Sequence, residues 1–365
     1  MRPGLDRRRL LPAVIAVSCA AATAGPALGA APQRIAATDA EELTGPALAG
    51  ERVAWAEGGV EGAWRVRSAV ADQAAETLAD LPAPEPGDSG TLWHWARLAA
   101  SPQVIAVHDD AVSSDGGRYG GYRPLVNRLL VGRVGAPLAE FGATCGGTRF
   151  NSPGLSFAVG GPYAAAPITC DERGRRLAVR VMDVGGDGAF TDVRAPGAEQ
   201  LRVAGELLAW TVAVDGGDST RFVAYDLGTK ERRTLLRTRA FVSGWDVSAE
   251  GALAVSLDGR RQRLRLVEPG GRARGLPAPR GRSDVALAGD RVLVARAVGR
   301  RGRSTALTLV SRDGGLTDVA RFPPRRAGRS AERLLDFDAD SGSVAWAARR
   351  DGVTRIWRKE LTAAR

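Results

Sequence analysis

Lysine is nearly absent from this chain: Lys230 and Lys359 are the only two among 51 basic residues. Histidine and cysteine are almost as scarce, with two His (His94 and His108) and three Cys. So few nitrogen and sulfur ligands exclude a zinc site unless carboxylates complete it. No Gly-x-Ser-x-Gly elbow occurs, which removes the α/β-hydrolase nucleophile from consideration. Beyond the N-terminal stretch, no apolar run approaches the roughly 20 residues a membrane helix needs. No later segment sustains a helical period with capping signals either. Glycine and proline are plentiful instead, at 46 and 20 residues, so the chain turns often. Hydrophobic residues at 44% and charged residues at 25% are ordinary for a folded protein and exclude disorder.

Residues 1–30 read as a signal peptide and 31–365 as one folded domain. Arg2, Arg7, Arg8 and Arg9 form a basic start, an apolar stretch follows from Leu10, and Ala27-Leu28-Gly29 supplies small residues for cleavage. An uncleaved anchor is the alternative, but Pro12, Ser18, Thr23 and Pro26 interrupt the apolar stretch. Ala16-Val17-Ser18-Cys19 is a loose lipobox, so lipid anchoring at Cys19 is a further alternative. Export is expected, to the outside, the periplasm or the cell envelope. It leaves Cys145 and Cys170, which suggest one disulfide in an oxidising compartment, with two free thiols as the alternative.

A pattern recurs along the folded part: a small residue, a turn residue, then hydrophobic-small-hydrophobic. It appears as Ala49-Gly50-Glu51-Arg52-Val53-Ala54-Trp55 and Ala204-Gly205-Glu206-Leu207-Leu208-Ala209-Trp210. Further copies centre on Leu253, Val292 and Val344, and weaker ones on Ile105 and Tyr163. The mean spacing of these anchors is about 48 residues. Each copy is a short run bounded by turn residues, which predicts strands rather than paired helices. The fullest copy predicts four strands, over Gln200–Gly205, Leu207–Ala213, Arg221–Leu227 and Arg232–Arg237. Four antiparallel strands repeated about seven times predict an all-β, seven-bladed β-propeller, with six or eight blades as alternatives. The last repeat stops one strand short, and Gln33-Arg34-Ile35-Ala36-Ala37 has no blade of its own. That N-terminal segment is expected to close the ring as the missing outer strand.

Leu207-Leu208-Ala209-Trp210, Phe222-Val223-Ala224-Tyr225-Asp226 and Arg233-Thr234-Leu235 resemble the blades of TolB-like and WD-repeat-type propellers. The resemblance covers almost all of residues 33–365. It departs from those families at the first turn, where Ala-Gly-Glu/Asp replaces Pro-Asp-Gly, and it lacks their Trp-Asp ending. It implies a fold and carries no catalytic residues.

Function on such a scaffold is expected in loops. The second repeat is the longest, and His108-Asp109-Asp110 through Arg118, Tyr119, Tyr122 and Arg123 is expected to join its second and third strands. Thr91-Leu92-Trp93-His94-Trp95 is expected just before that repeat. Together, Trp93, His94, His108, Asp109, Asp110, Arg118, Tyr119 and Tyr122 form the candidate ligand-binding set. Carboxylates and His suit acid–base or cation chemistry, and aromatics suit stacking on sugar or peptide. A solvated loop over a packed Trp-His-Trp strand is the bland alternative.

Asp336-Phe337-Asp338-Ala339-Asp340-Ser341-Gly342 resembles a calcium loop, but its Gly falls one place late, so a plain hairpin is expected. Asp183–Gly188 reads as a turn between third and fourth strands. Gly116–Gly121 lacks the Lys and helix of a phosphate loop. Between Arg260 and Arg303 stand 13 Arg against three acids, within a chain of net charge +10. This stripe is a candidate surface for an anionic polymer; a GC-rich genome favouring Arg is the alternative. Nucleic acid is not an expected partner of an exported chain, and a monomer without cofactor or metal is expected. The reading is a binding or interaction module for a protein or carbohydrate. The alternative is a propeller enzyme, lactonase- or polysaccharide lyase-like, that uses the central face.

Overall fold

A computed structural model describes residues 31–85, 91–114, 122–141, 157–169, 176–258, 263–277, 284–298, 304–323 and 331–361. The chain opens with β1 (Gln33–Thr38) and then lays down seven antiparallel blades. Blade 1 holds β2 (Glu42–Ala49), β3 (Arg52–Gly58), β4 (Trp64–Ala69) and β5 (Glu76–Leu81). Blade 2 holds β6 (Leu92–Ala100), β7 (Val104–Ser114), β8 (Tyr122–Arg133) and β9 (Ala139–Glu140). Blade 3 holds β10 (Ala158–Gly160), β11 (Tyr163–Thr169), β12 (Arg176–Asp183) and β13 (Phe190–Arg194). Blade 4 holds β14 (Ala198–Ala204), β15 (Leu207–Val214), β16 (Ser219–Asp226) and β17 (Arg232–Thr238). Blade 5 holds β18 (Phe241–Val247), β19 (Leu253–Asp258), β20 (Arg263–Val267) and β21 (Ala273–Leu276). Blade 6 holds β22 (Val285–Ala288), β23 (Arg291–Val298), β24 (Ser304–Val310) and β25 (Leu316–Phe322). Blade 7 has β26 (Arg333–Ala339), β27 (Ser343–Arg350) and β28 (Val353–Glu360), and β1 completes it as the outer strand.

All seven repeat anchors fall on second strands, which explains their composition. A second strand is buried against both neighbouring blades, so the usual in–out alternation is lost. Val53, Ala54, Trp55 and Ala56 are all buried in succession, as are Leu207 to Val212. Seven apolar clusters lie one at each seam between consecutive blades. The repeat's aromatic position fills three of these seams with Trp55, Trp210 and Trp346. The departure at the first turn has a backbone reason. Gly50, Gly205 and Gly289 hold φ values of +65°, +56° and +62° between the first and second strands, a region open to glycine at little cost.

Polar stitches add to the apolar seams. Arg133 of blade 2 donates to the carbonyls of Val184, Gly185 and Gly186 in blade 3. Trp245 Nε1 donates to Gln200 Oε1 across the seam from blade 5 to blade 4, at 2.6 Å. On the inner strands, Asp246 accepts the N–H of Leu287 and Asp338 accepts that of Leu48, each from the next blade. These two acids occupy equivalent positions, one residue before the partner of the anchor.

Candidate functional site

Blade 2 departs from its neighbours by length: β6, β7 and β8 run 9, 11 and 12 residues. The sequence expectation puts Thr91–Trp95 before the blade and His108–Arg123 in a connection. The structure places Leu92–Trp95, His108–Ser114 and Tyr122–Arg123 in the sheet instead. Leu92 pairs with Ser113, and Ser114 pairs with Tyr122, so the ladder continues well past the histidines. The continued ladder satisfies backbone groups that a long loop would leave to water. Arg118 and Tyr119 lie outside the described residues, as do Cys19, Cys145, Cys170, Arg260 and Arg303.

Strand alternation then separates the two histidines. His94 and Asp109 face the seam with blade 1, whereas His108 and Asp110 face blade 3 with Trp93 and Trp95. All four of the charged or titratable groups are buried. His94 Nε2 meets Asp109 Oδ1 at 2.7 Å, and Arg128 Nε donates to Asp109 Oδ2 at 2.9 Å. His94 Nδ1 meets the carbonyl of Gly62 at 2.8 Å. Burial works against charge on His94. The hydrogen bonds to Asp109 and Gly62, with the Asp109 charge, nevertheless hold its pKa above the ordinary value. On the other face, burial depresses the His108 pKa despite its contact with Asn127, at 3.2 Å, and the nearby Asp110. Burial likewise raises the Asp110 pKa, against the pull of His108 and Arg97. These four side chains are brought together in two pairs, back to back through one sheet.

The ring encloses a second region. The seven inner strands leave a central channel of about 1190 Å³. Its wall is electrically divided. Asp246, Asp284, Asp336 and Asp338 come from the consecutive blades 5, 6 and 7. Arg97 reaches the channel from blade 2 and Arg202 from blade 4. Arg202 lies 3.9 Å from Asp246 and over the Trp245 ring at 5.2 Å. Burial pushes the Asp338 carboxyl up to about 7, aided by the charges of Asp246 and Asp336 and opposed by the N–H groups of Leu48 and Ala339. Burial also carries Asp336 up to about 6, with Asp284 adding to the rise and the N–H groups of Phe337 and Gly45 opposing it. Asp246 and Asp284 are raised by burial too, and Arg202 eases both. Among the described residues, no group of three His, Cys, Asp or Glu is arranged to hold a metal ion.

Of these acids, sequence reading noticed Asp336 and Asp338 only as part of a hairpin. That hairpin is present, turning at Asp340, Ser341 and Gly342 between β26 and β27. Asp284 enters the sequence reading only as one of three acids in the Arg260–Arg303 stripe, and Asp246 does not enter it. The available signal was a carboxylate in or just before a first strand, one residue (Asp246, Asp338) or three residues (Asp284, Asp336) before the partner of the repeat's anchor.

The raised pKa values have a consequence for stability. A carboxyl whose folded pKa exceeds its unfolded value stabilises the fold while protonated, and that contribution is lost as pH rises through the folded pKa. For Asp336 and Asp338 the loss runs from about pH 4 to pH 7. The thermal midpoint is therefore expected to fall between pH 4 and pH 7. Asp336→Asn/Asp338→Asn should flatten that fall, and an equal slope in the double variant would refute the assignment.

The Arg-rich stripe of blades 5 and 6 is partly neutralised where it is described. Arg296 and Arg321 share Asp318, and Arg274 pairs with Glu268. Arg263 and Arg272 stand exposed.

No family model and no curated protein sequence matches the chain. Solved structures do. TolB from Acinetobacter baumannii aligns at 14% identity over 72% of this chain and 62% of its own, with a TM-score of 0.39. The β-propeller domain of the Trilobed protease from Pyrococcus furiosus aligns at 12% identity over 58% of this chain and 83% of its own, with a TM-score of 0.40. A chain of the nidogen/laminin complex aligns at 12% identity over 71% and 90%, with a TM-score of 0.42. The blade count rests on this chain's own strand pairing, and its structural neighbours include TolB and other β-propeller proteins.

Proposed function

We propose that this protein is an exported, monomeric binding module that seats a cationic ligand in its central channel. The channel's divided wall carries the reading: the carboxylates Asp246, Asp284, Asp336 and Asp338 of three adjacent blades are among those that face a cavity of about 1190 Å³, and Arg202 acts on Asp246 and Asp284. Such a wall favours a ligand bearing ammonium or guanidinium groups, because desolvated carboxylates repel one another until a cation joins them. Export rests on the basic, apolar and small-residue succession of residues 1–30. The disulfide between Cys145 and Cys170 belongs to the same reading. Blade 2's long strands, with Trp93 near the start of β6, supply a second contact region.

Short oligolysine and oligoglutamate peptides test this. A ligand at 100 times its Kd stabilises by about 2.7 kcal/mol. Oligolysine is expected to raise the thermal midpoint, and Asp284→Asn/Asp336→Asn is expected to abolish the rise. An equal rise in the double variant would remove the channel from the reading. A rise with oligoglutamate that fades with salt would instead assign binding to the Arg260–Arg303 stripe. Turnover of a lactone or an acidic polysaccharide, lost in the same double variant, would favour the enzyme reading.

A further inference from the structure

We infer that His94 is a doubly protonated latch that makes the seam between blades 1 and 2 responsive to pH. Both of its ring nitrogens face oxygen acceptors. Nδ1 lies 2.8 Å from the Gly62 carbonyl, which has no proton to give. Nε2 lies 2.7 Å from Asp109 Oδ1, and Arg128 Nε donates to the other carboxyl oxygen at 2.9 Å. A neutral imidazole has one donor and one acceptor, so it satisfies one of these contacts and sets a lone pair against the other. The imidazolium satisfies both.

The latch bridges two blades. Gly62 lies in the turn between β3 and β4, and the same turn offers the Val60 carbonyl to the backbone N–H of His94 at 2.7 Å. Trp64 Nε1 closes the exchange by donating to the His94 carbonyl at 3.0 Å. Blade 1 therefore presents two carbonyls and an indole to His94, none of them titratable near neutrality. Blade 2 presents Asp109 from β7 and Arg128 from β8 to its ring, and Asp110 on the other face of β7 also feels its charge. His94 is fully buried, so no water replaces a lost contact.

The direction of the response follows. A His whose folded pKa is raised stabilises the fold in its charged form, and that stabilisation is lost as pH climbs through the folded value. The seam is closed in acid and loosens in alkali, where the turn of blade 1 parts from inner strand β6. This role is separate from the channel, since His94 lies outside the channel wall.

With two histidines in the chain, the intact protein suffices for the test. Imidazole nitrogen-15 shifts followed from pH 5 to pH 9 should show His94 protonated at both nitrogens past pH 6.5, with His108 neutral. Amide hydrogen exchange of residues 59–64 and 92–96, corrected for intrinsic rates, should speed up above the His94 titration. Each pKa unit by which His94 exceeds 6.5 should appear as about a ten-fold loss of protection. A single neutral tautomer throughout, or seam exchange that ignores the His94 titration, would overturn the inference.

Discussion

Deleting residues 31–40 is expected to lower the thermal midpoint by about 5 °C or more, since each kcal/mol is worth roughly 1–2 °C in a domain that runs from residue 31 to 365. The deletion removes β1, which pairs with β28 from Gln33 opposite Arg358 to Thr38 opposite Thr354. It thereby exposes the edge of β28, an invitation to pair with other chains. It also empties the place of Ile35, which is 6% exposed and packs among Leu48, Val53, Trp55 and Ile356. Loss of a buried Ile side chain alone costs about 2–5 kcal/mol. Because β1 pairs a segment before blade 1 with the last blade, its removal strips the strand-ladder hydrogen bonds from the ring's closure and leaves the contacts between blades 7 and 1, such as Leu48 N–H to Asp338. Ile35→Ala separates the two effects: it should reproduce the packing loss without the exposed edge or the aggregation that follows from it. A deletion variant with an unchanged midpoint would show that the seven blades hold closed without the β1 ladder, through the contacts of blade 7 with blade 1.

Asp109→Ala is expected to cost about 3–5 kcal/mol, the usual result of breaking a buried ion pair by removing one partner. The carboxylate is 1% exposed and serves two cations at once, His94 and Arg128. Arg128 is partly exposed and turns to water when its partner is lost. His94 has no such escape, and its ring gives up a proton or stays charged without a counter-ion. The His94→Ala/Asp109→Ala pair should therefore cost less than the sum of the single variants, because one stranded charge is gone in both. Urea unfolding measures each value. A loss below about 1 kcal/mol for Asp109→Ala would mean that the buried contacts merely satisfy one another without net gain.

The ring's repeat was legible because it is written in local chemistry. Every anchor from Val53 to Val344 lies on a second strand, and the turn before it holds a small residue with glycine, or with Pro102 before Ile105. The closing strand was legible by a deficit, since Gln33–Ala37 had no blade and the last blade lacked a strand. The extension of blade 2 was harder to see. Alternation through His108-Asp109-Asp110 puts polar residues at buried positions, and buried polar side chains resemble a solvated loop until their partners are known. Asp109 is settled by Arg128 on the neighbouring strand and His94 on the inner one, partners 19 and 15 residues away.

The seven-bladed architecture, its closure and its turns were thus determined by the sequence itself, because periodic burial and turn preferences act over a few residues. Tertiary structure decided where charge meets charge. Asp246, Asp284, Asp336 and Asp338 are scattered over more than 90 residues and become one wall only when three inner strands stand side by side around the axis. Their raised pKa values, like the protonation of His94, arise from desolvation and from neighbours on other strands, and a linear reading contains neither.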